Sequence, residues 1–275
     1  MFFERIVLLI MLFTDQMGRQ IELRDFPKRI ISLVPSQSEL LWDLGLRNEL
    51  IGITKFCIHP KEMFNNVERV GGTKKINFKK IAALQPDLII GNKEENEQSQ
   101  IEELMKQYKV WMSDIYTLTD ALQMIDNLGQ ITNKQKRATE LAAAIKVNFS
   151  QLSEKITKKN DPVSVAYFIW RKPYLVAGHS TFINEMLKLC GFKNVFEKGF
   201  SSRYPEVSVA EISKAKPDVV FLSSEPFPFK EKHIQELKQL LPHSKIMLVD
   251  GEMFSWYGSR LLKAPAYFEV LSHKK

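Results

Sequence analysis

The residues best suited to chemistry stand where short apolar runs give way to polar or aromatic ones. Behind the run at 50–54 come Phe56, Cys57 and His59. Cysteine and histidine two residues apart are good metal donors, and they also resemble part of a nucleophile pair. Two ligands are too few for a metal centre made of protein alone, and no second Cys-x-x-Cys or histidine pair accompanies them. The same loop can equally set Phe56 or His59 against a bound molecule. Gly71 and Gly72 follow; paired glycines let a ligand approach the backbone, and an ordinary turn uses them as well. Asn92 opens a polar loop behind the run at 88–91. Ser36 sits where a helix begins, a place whose free N–H groups attract an anionic group, although plain N-capping needs the same residue. In the second half, Trp170 and Arg171 end one run, and Tyr204 lies in an aromatic and basic loop at 200–205. Trp256, Tyr257 and Arg260 crowd the loop behind 245–250. Rings beside a guanidinium suit flat or amphipathic ligands through stacking and cation–π contact. For Trp256 and its neighbour Phe254, covering the core is the alternative.

No catalytic set accompanies these residues. The chain lacks a Gly-x-Ser-x-Gly elbow, a phosphate loop, a His-Glu-x-x-His pair and a dinucleotide fingerprint. The expectation is therefore binding without turnover, with no catalytic residues, no metal held by side chains alone and no resident cofactor.

The elements that must position these loops alternate strand with helix. Arg29-Ile30-Ile31-Ser32-Leu33-Val34-Pro35 is an unbroken apolar run, as in a strand buried on both faces of a parallel sheet. Ser36 to Glu39 in the pattern Ser-x-x-Glu reads as a capping box for a helix that ends at Gly45. Strands at 50–54, 88–91 and 110–113 alternate with helices at 78–84 and 99–108. The second half repeats the scheme, with strands at 165–170, 219–223 and 245–250, helices at 182–190 and 233–241, and a helical tail from Ser259. Ile81 to Pro86-Asp87 parallels Ile212 to Pro217-Asp218, and Glu39 and Glu185 each stand six residues before a helix-ending glycine, Gly45 and Gly191. Between the halves, an amphipathic helix on Leu118, Leu122, Ile125 and Leu128 loosens at Gly129. Asn133 caps a second, roughly 37 Å helix running to about residue 158. The fold class expected is α/β: two Rossmann-like lobes with parallel sheets, joined by a single long α-helix. The expected divisions are 14–117, a helical linker over 118–160, and 161–275.

Composition sets the remaining limits. A chain of 275 residues with 44% hydrophobic and 26% charged residues fits two ordinary lobes and is neither disordered nor a bilayer-spanning protein. Its net charge of +7 lies on lysines scattered over helix faces, with no nucleic-acid motif, so a solvated surface is expected and nucleic acid is not a partner. Cys57 and Cys190 fall in different lobes, so no disulfide is expected. A monomer is expected. The short apolar run at 6–13, behind Arg5, has no small-x-small cleavage site before Thr14. A weak secretion signal, an extension packed on the fold and a start codon placed too early all remain open for it.

Residues 29–36 with Glu39 and Gly45, the hairpin-like Thr14 to Arg19, the Pro86-Asp87-Leu88 turn, and Tyr204-Pro205-Glu206-Val207-Ser208 together resemble the class III periplasmic binding proteins of ABC transporters. These are the helical-backbone metal-chelate receptors, and the cobalamin-binding branch is the most similar. The resemblance implies a bulky metal chelate, a corrinoid or a ferric siderophore, held between the lobes, with an ABC permease as partner and a periplasmic or cell-envelope location. Phe56 and Tyr204 fall at aromatic ligand-contact positions of that branch, whereas Thr73 and Asn92 stand where it can carry tryptophan. Lys79 and Ala210, the latter beside Glu211, stand where surface glutamates dock the permease. These departures keep an alternative open: a cytoplasmic chelate-binding or chelate-processing protein without a permease.

Overall fold

The computed structural model describes residues 10–157 and 162–273. The chain forms two compact units. The first takes residues up to Ile115, Asp120–Ala143 and Tyr257–Ser259; the second takes Tyr116–Thr119, Ala144–Trp256 and the chain from Arg260.

The first unit opens with an antiparallel hairpin, β1 (Met11–Thr14) and β2 (Gln20–Leu23), closed by a turn in which Gly18 has φ 76°. Part of the apolar run at 6–13 is thus strand β1, and residues 6–9 lie outside the described residues. There follow β3 (Ile30–Ser32), α1 (Pro35–Asp43), β4 (Leu50–Ile53), α2 (Lys61–Asn66), β5 (Glu68–Arg69), α3 (Phe78–Leu84), β6 (Leu88–Asn92), α4 (Gln98–Met105) and β7 (Val110–Ser113). The five later strands form one parallel sheet in the order β5-β4-β3-β6-β7. Every residue of β3 and β6 is buried, which is why both read as unbroken runs without alternation. The chain leaves β3 toward β4 on one side and later returns to place β6 on the other. Such a reversal of strand order is where open α/β sheets place their ligands, at the carboxyl ends of the strands on either side.

Four expectations around α1 and the linker helices are corrected. The strand at 29–35 ends at Ser32, and no capping box forms at Ser36: Val34 is the N-cap and makes no side-chain cap bond. Pro35 explains both, because it has no N–H to give a strand ladder and its fixed φ suits the first helical position. Gly45, at φ 88°, ends α1 as expected, with Leu46 N–H reaching back to the Leu41 carbonyl at 3.0 Å. The helix α5 (Leu118–Ile131) runs straight through Gly129. A Cβ there would lie 2.3 Å from that of Ala138, so the glycine is a contact point for the next helix, not a loosening. Asn133 has φ 56°, and the bonds Asn133 N to Gln130 O and Lys134 N to Gly129 O close a left-handed terminator of α5. It is therefore not the N-cap of α6 (Gln135–Thr157), because an N-cap has extended backbone. The 23 residues of α6 make a rod of about 35 Å that carries the chain from the first unit into the second. Ala138, Ala142, Ile145, Phe149 and Leu152 are its buried stripe.

The second unit contains β8 (Val163–Trp170), β9 (Leu175–Val176), α7 (Phe182–Leu189), β10 (Phe192–Asn194), α8 (Val209–Ala215), β11 (Val219–Ser223), α9 (Glu231–Leu240), β12 (Lys245–Val249) and α10 (Gly251–Ser255). A 3-10 turn (Ser259–Leu262) and α11 (Ala264–His273) form the tail. Strands β10-β8-β11-β12 are parallel, and β9 lies antiparallel against the end of β8. The rings of Tyr167, Phe221, Phe254 and Phe268 make edge-on or tilted contacts at centroid distances of 4.8 to 6.4 Å in its core.

The Pro-Asp repeat has one structural role in both units. α3 and α8 each end on a left-handed residue, Gln85 (φ 44°) and Lys216 (φ 47°). The aspartate two residues on then accepts backbone N–H bonds from the neighbouring chain. Asp87 takes Lys28 N at 2.8 Å and Arg29 N at 3.0 Å, and Asp218 takes Ser164 N at 2.9 Å. Each carboxylate thus fixes where the central strand of its sheet begins.

Candidate functional site

In the first unit, much of the strand-end layer is used up by the fold itself. Asn92, only 2% exposed, donates to the Ser113 hydroxyl at 2.9 Å and accepts from the N–H groups of Glu94 and Glu95 at 2.8 and 3.0 Å. Asn96 ties the Leu33 and Thr73 carbonyls together at 3.2 and 3.1 Å. Ser36 is buried in the first turn of α1. Beside it, Gln37 donates to the Ser113 hydroxyl, and its Oε1 is buried with no hydrogen-bond partner among the described residues. Cys57 is buried, its Sγ within 3.2 Å of the hydroxyls of Ser38 and Thr54. Burial pushes its thiol pKa up, the reverse of what a nucleophilic thiolate needs. Among the described residues, no group of three or more His, Cys, Asp or Glu side chains is placed to hold a metal ion.

Outside this network lies a 760 Å3 pocket whose walls include Phe56, Gly72, Thr73, Ile76 and Phe78. Phe56 is 49% exposed and Phe78 39%. A Cβ on Gly72 would stand 3.2 Å from the Phe56 ring, so glycine lets the loop pass close beneath it. Phe56 and Gly72 therefore come together as one surface. His59 is half-buried at the entry to α2 and is not part of that wall.

In the second unit, Trp170 is 40% exposed at the end of β8 and packs edge-on against Phe227 at 5.7 Å. Arg171 pairs with Glu236 at 2.6 Å, and the Tyr174 hydroxyl shares that carboxylate at 3.1 Å. The Arg171 bond holds the Glu236 carboxyl below its ordinary value. Tyr204 is half-buried beside Arg203, whose guanidinium lies 4.7 Å over the Tyr116 ring and 6.0 Å over the Tyr204 ring. Trp256 and Arg260 also come together. The guanidinium stacks 4.5 Å over the indole and pairs with Glu252 at 2.5 Å, while the indole Nε1 donates to Glu225 Oε1 at 3.0 Å. The Ser255 hydroxyl donates to the same oxygen at 2.5 Å. Burial raises the Glu225 carboxyl pKa, Glu252 and Asp250 add to the rise, and the two donors oppose it. Trp256 is 6% exposed, so it is largely a covering residue of this cluster. Tyr257, equally buried, belongs to the first unit.

Sequence reasoning did not single out Phe78 or Glu225. Glu225 was findable: it stands two residues past β11, at a strand's carboxyl end, where the same rule had located Asn92 and Trp170. Tyr116 was legible as a strand-end aromatic, but its partner Arg203 is 87 residues away, beyond any local pattern.

Two parallel sheets, each with helices between its strands, joined through one long helix, define a class III substrate-binding fold. The family described as "Periplasmic binding protein" matches residues 30–241, and the chain belongs to it. It is 31% identical over 198 residues to a vitamin B12-binding protein of Vibrio campbellii, covering 71% of this chain and 70% of that one. Among solved structures, a periplasmic vitamin B12 binding protein of Vibrio cholerae superposes with a TM-score of 0.77 at 22% identity, covering 91% of this chain and 99% of that one. A periplasmic heme binding protein from Pseudomonas aeruginosa gives 0.77 at 19% identity, covering 90% and 94%. At such identities the superpositions establish the fold alone.

Proposed function

We propose that this protein is the substrate-binding component of an ABC uptake system, working at the cell envelope, and that its cargo is a bulky metal chelate of the corrinoid or haem type. The metal arrives inside the chelate. The proposed contacts centre on Phe56, Gly72, Trp170 and Tyr204, with Phe56 and Trp170 as the exposed aromatic faces, and Ser36, His59, Asn92, Arg171, Trp256, Tyr257 and Arg260 stand behind them as the residues that hold these loops. The observation that carries the reading is the likeness to a vitamin B12-binding protein over some seven-tenths of both chains. The exposed Phe56 ring on a pocket wall at the end of β4 supports it.

A chelate carrier that docks no standard permease is the second reading. The residues at the docking positions favour it. Lys79 is exposed, and Glu211 has its carboxylate engaged in capping α8, at 2.8 Å from Ser208 N and 2.7 Å from Ser208 Oγ. Recovery of the protein in the cytosolic fraction of its native cells would favour the carrier.

A tryptophan-fluorescence titration against cyanocobalamin, haemin and ferric siderophores tests the main reading. Saturable quenching by one chelate class is expected, reported chiefly by Trp170. Absence of both quenching and calorimetric heat with every chelate would overturn it.

A further inference from the structure

The pocket at the ends of β4 and β5 has a property that the chelate reading does not require. Its floor is apolar, with the rings of Phe56 and Phe78, and its rim is made of Lys55, Lys74, Lys75 and Lys79. None of the residues that line it is acidic. The Lys55 ammonium lies 5.1 Å over the Phe56 ring. Lys74 is held by the Glu94 and Asn96 carbonyls at 2.6 and 3.4 Å, which anchors its charge at the pocket mouth. All four lysines are exposed. Some exposed lysines outside the pocket sit beside carboxylates, as Lys80 does with Glu68, Lys106 with Glu103 and Lys155 with Glu269. What distinguishes the pocket is that four lysines and no carboxylate stand around one apolar floor.

Such a surface favours a flat ligand whose ring lies on the phenylalanines and whose edge carries carboxylates toward the ammonium groups. A ligand edged by neutral amides gains the ring contact and nothing from the rim. At physiological ionic strength charges are screened beyond about 8 Å, so the preference requires carboxylates on the ligand itself, next to the pocket. Resting on the chelate reading, we infer that this pocket selects carboxylate-bearing planar tetrapyrroles over amide-bearing corrinoids, with Lys55, Lys75 and Lys79 as the residues that discriminate.

The test is calorimetric titration of the full chain and of the variant Lys55→Gln/Lys75→Gln/Lys79→Gln. The probes are haemin, haemin dimethyl ester, metal-free mesoporphyrin IX and cyanocobalamin. Lys74 is left in place because it holds a loop. Each exposed ammonium–carboxylate contact is worth up to several-fold in affinity, so three together give about tenfold. The wild type should bind haemin about tenfold more tightly than its ester, and the variant should lose that gap while its affinity for the ester stays unchanged. Equal affinity of acid and ester in the wild type, or a gap that survives in the variant, would overturn the inference and leave the chelate reading standing. So would cyanocobalamin binding with no porphyrin binding. Lysine-dependent binding of mesoporphyrin IX without binding of any metal chelate would uphold the inference and overturn the chelate reading. No binding of any probe would overturn both.

Discussion

Gly258 joins the segment carrying Trp256 to the one carrying Arg260, and replacing it with alanine should be among the costliest small changes in the chain. Its φ is 151°, a conformation that residues with a Cβ rarely adopt. An added Cβ would also stand 2.9 Å from the Ser36 carbonyl oxygen and 3.3 Å from Leu40 Cβ. Ser36 is in the first turn of α1 and Leu40 is fully buried, so neither can yield without moving the helix. Backbone strain of about 1–3 kcal/mol and overpacking of about 1–3 kcal/mol sum to roughly 2–6 kcal/mol. Gly18 supplies the control. Its φ is 76°, and nothing lies within 4 Å of an added Cβ, so Gly18→Ala should cost only the backbone part, about 1–2 kcal/mol. Urea unfolding followed by far-UV circular dichroism and by the emission of buried Trp42 and Trp111 measures both variants. At an m-value of about 2 kcal/mol per M, Gly258→Ala should lower the midpoint by about 1–3 M and Gly18→Ala by about 0.5–1 M. A Gly258→Ala midpoint equal to or above that of Gly18→Ala would refute the argument that the Ser36 carbonyl blocks this position.

Phe56→Ala removes a ring that is 49% exposed, so stability should stay within about 0.5 kcal/mol while chelate affinity falls about tenfold or more; unchanged affinity by titration removes Phe56 from the site. Trp256→Ala should cost about 3–5 kcal/mol in a denaturant series, because the indole is 6% exposed and holds both Glu225 and Arg260; a loss below about 1 kcal/mol would contradict the cluster. Glu225→Gln should stabilise the protein at neutral pH. Burial raises the Glu225 carboxyl above its ordinary 4.5, so the wild type's full stability is present below that value and is lost as pH rises through the folded-state pKa. The amide escapes that loss, and the variant's advantage in thermal melts should grow with pH and vanish under acid conditions; an advantage that grows toward acid pH would reverse the sign.

What was legible in the sequence is what local physics decides. Strands β7 and β11 and helix α3 fall on the residues expected, since apolar runs bounded by turns leave little freedom. The Pro-Asp repeat was also legible, although its purpose, an aspartate clamping the start of a distant strand, was not. Helix beginnings were less so. Ser36 to Glu39 has the pattern of a capping box, but Pro35 had already supplied the start, whereas Ser208 and Glu211 form a real one that was not singled out. Gly129 and Asn133 failed for a related reason: one makes room for Ala138 and the other turns left-handed, and neither role shows in a single helix taken alone. Among the candidate ligand contacts, residue type was a poor guide to exposure. Phe56 and Trp256 both read as loop aromatics behind a strand, yet one lies half in solvent and the other under Arg260 with its indole N–H bonded to the buried Glu225, a partner that no local pattern announces.

The pairing of the arginines bears on which part of the chain could meet an anionic ligand. Arg171 is matched to Glu236 and Arg260 to Glu252, each at 2.5 to 2.6 Å and each only 12 to 23% exposed at the side chain. Recruiting either for a ligand carboxylate would require leaving a glutamate without its cation, which cancels much of the gain. The lysines around Phe56 carry no such penalty: they are exposed, and no carboxylate shares their pocket. Their individual contributions are small for the same reason, since exposed charges are screened and flexible. Selectivity for an anionic chelate should thus come from several weak contacts in the first unit and fade with added salt. Arg171 and Arg260, being neutralised already, act by holding Tyr174 and Trp256 in place. Replacing Arg260 by lysine keeps the charge but gives up the planar stack on Trp256, so stability should fall by about 1 kcal/mol while the salt dependence of binding stays as it was. A change in that salt dependence, measured by titration at two ionic strengths, would mean that Arg260 meets the ligand directly and that the division of labour argued here is wrong.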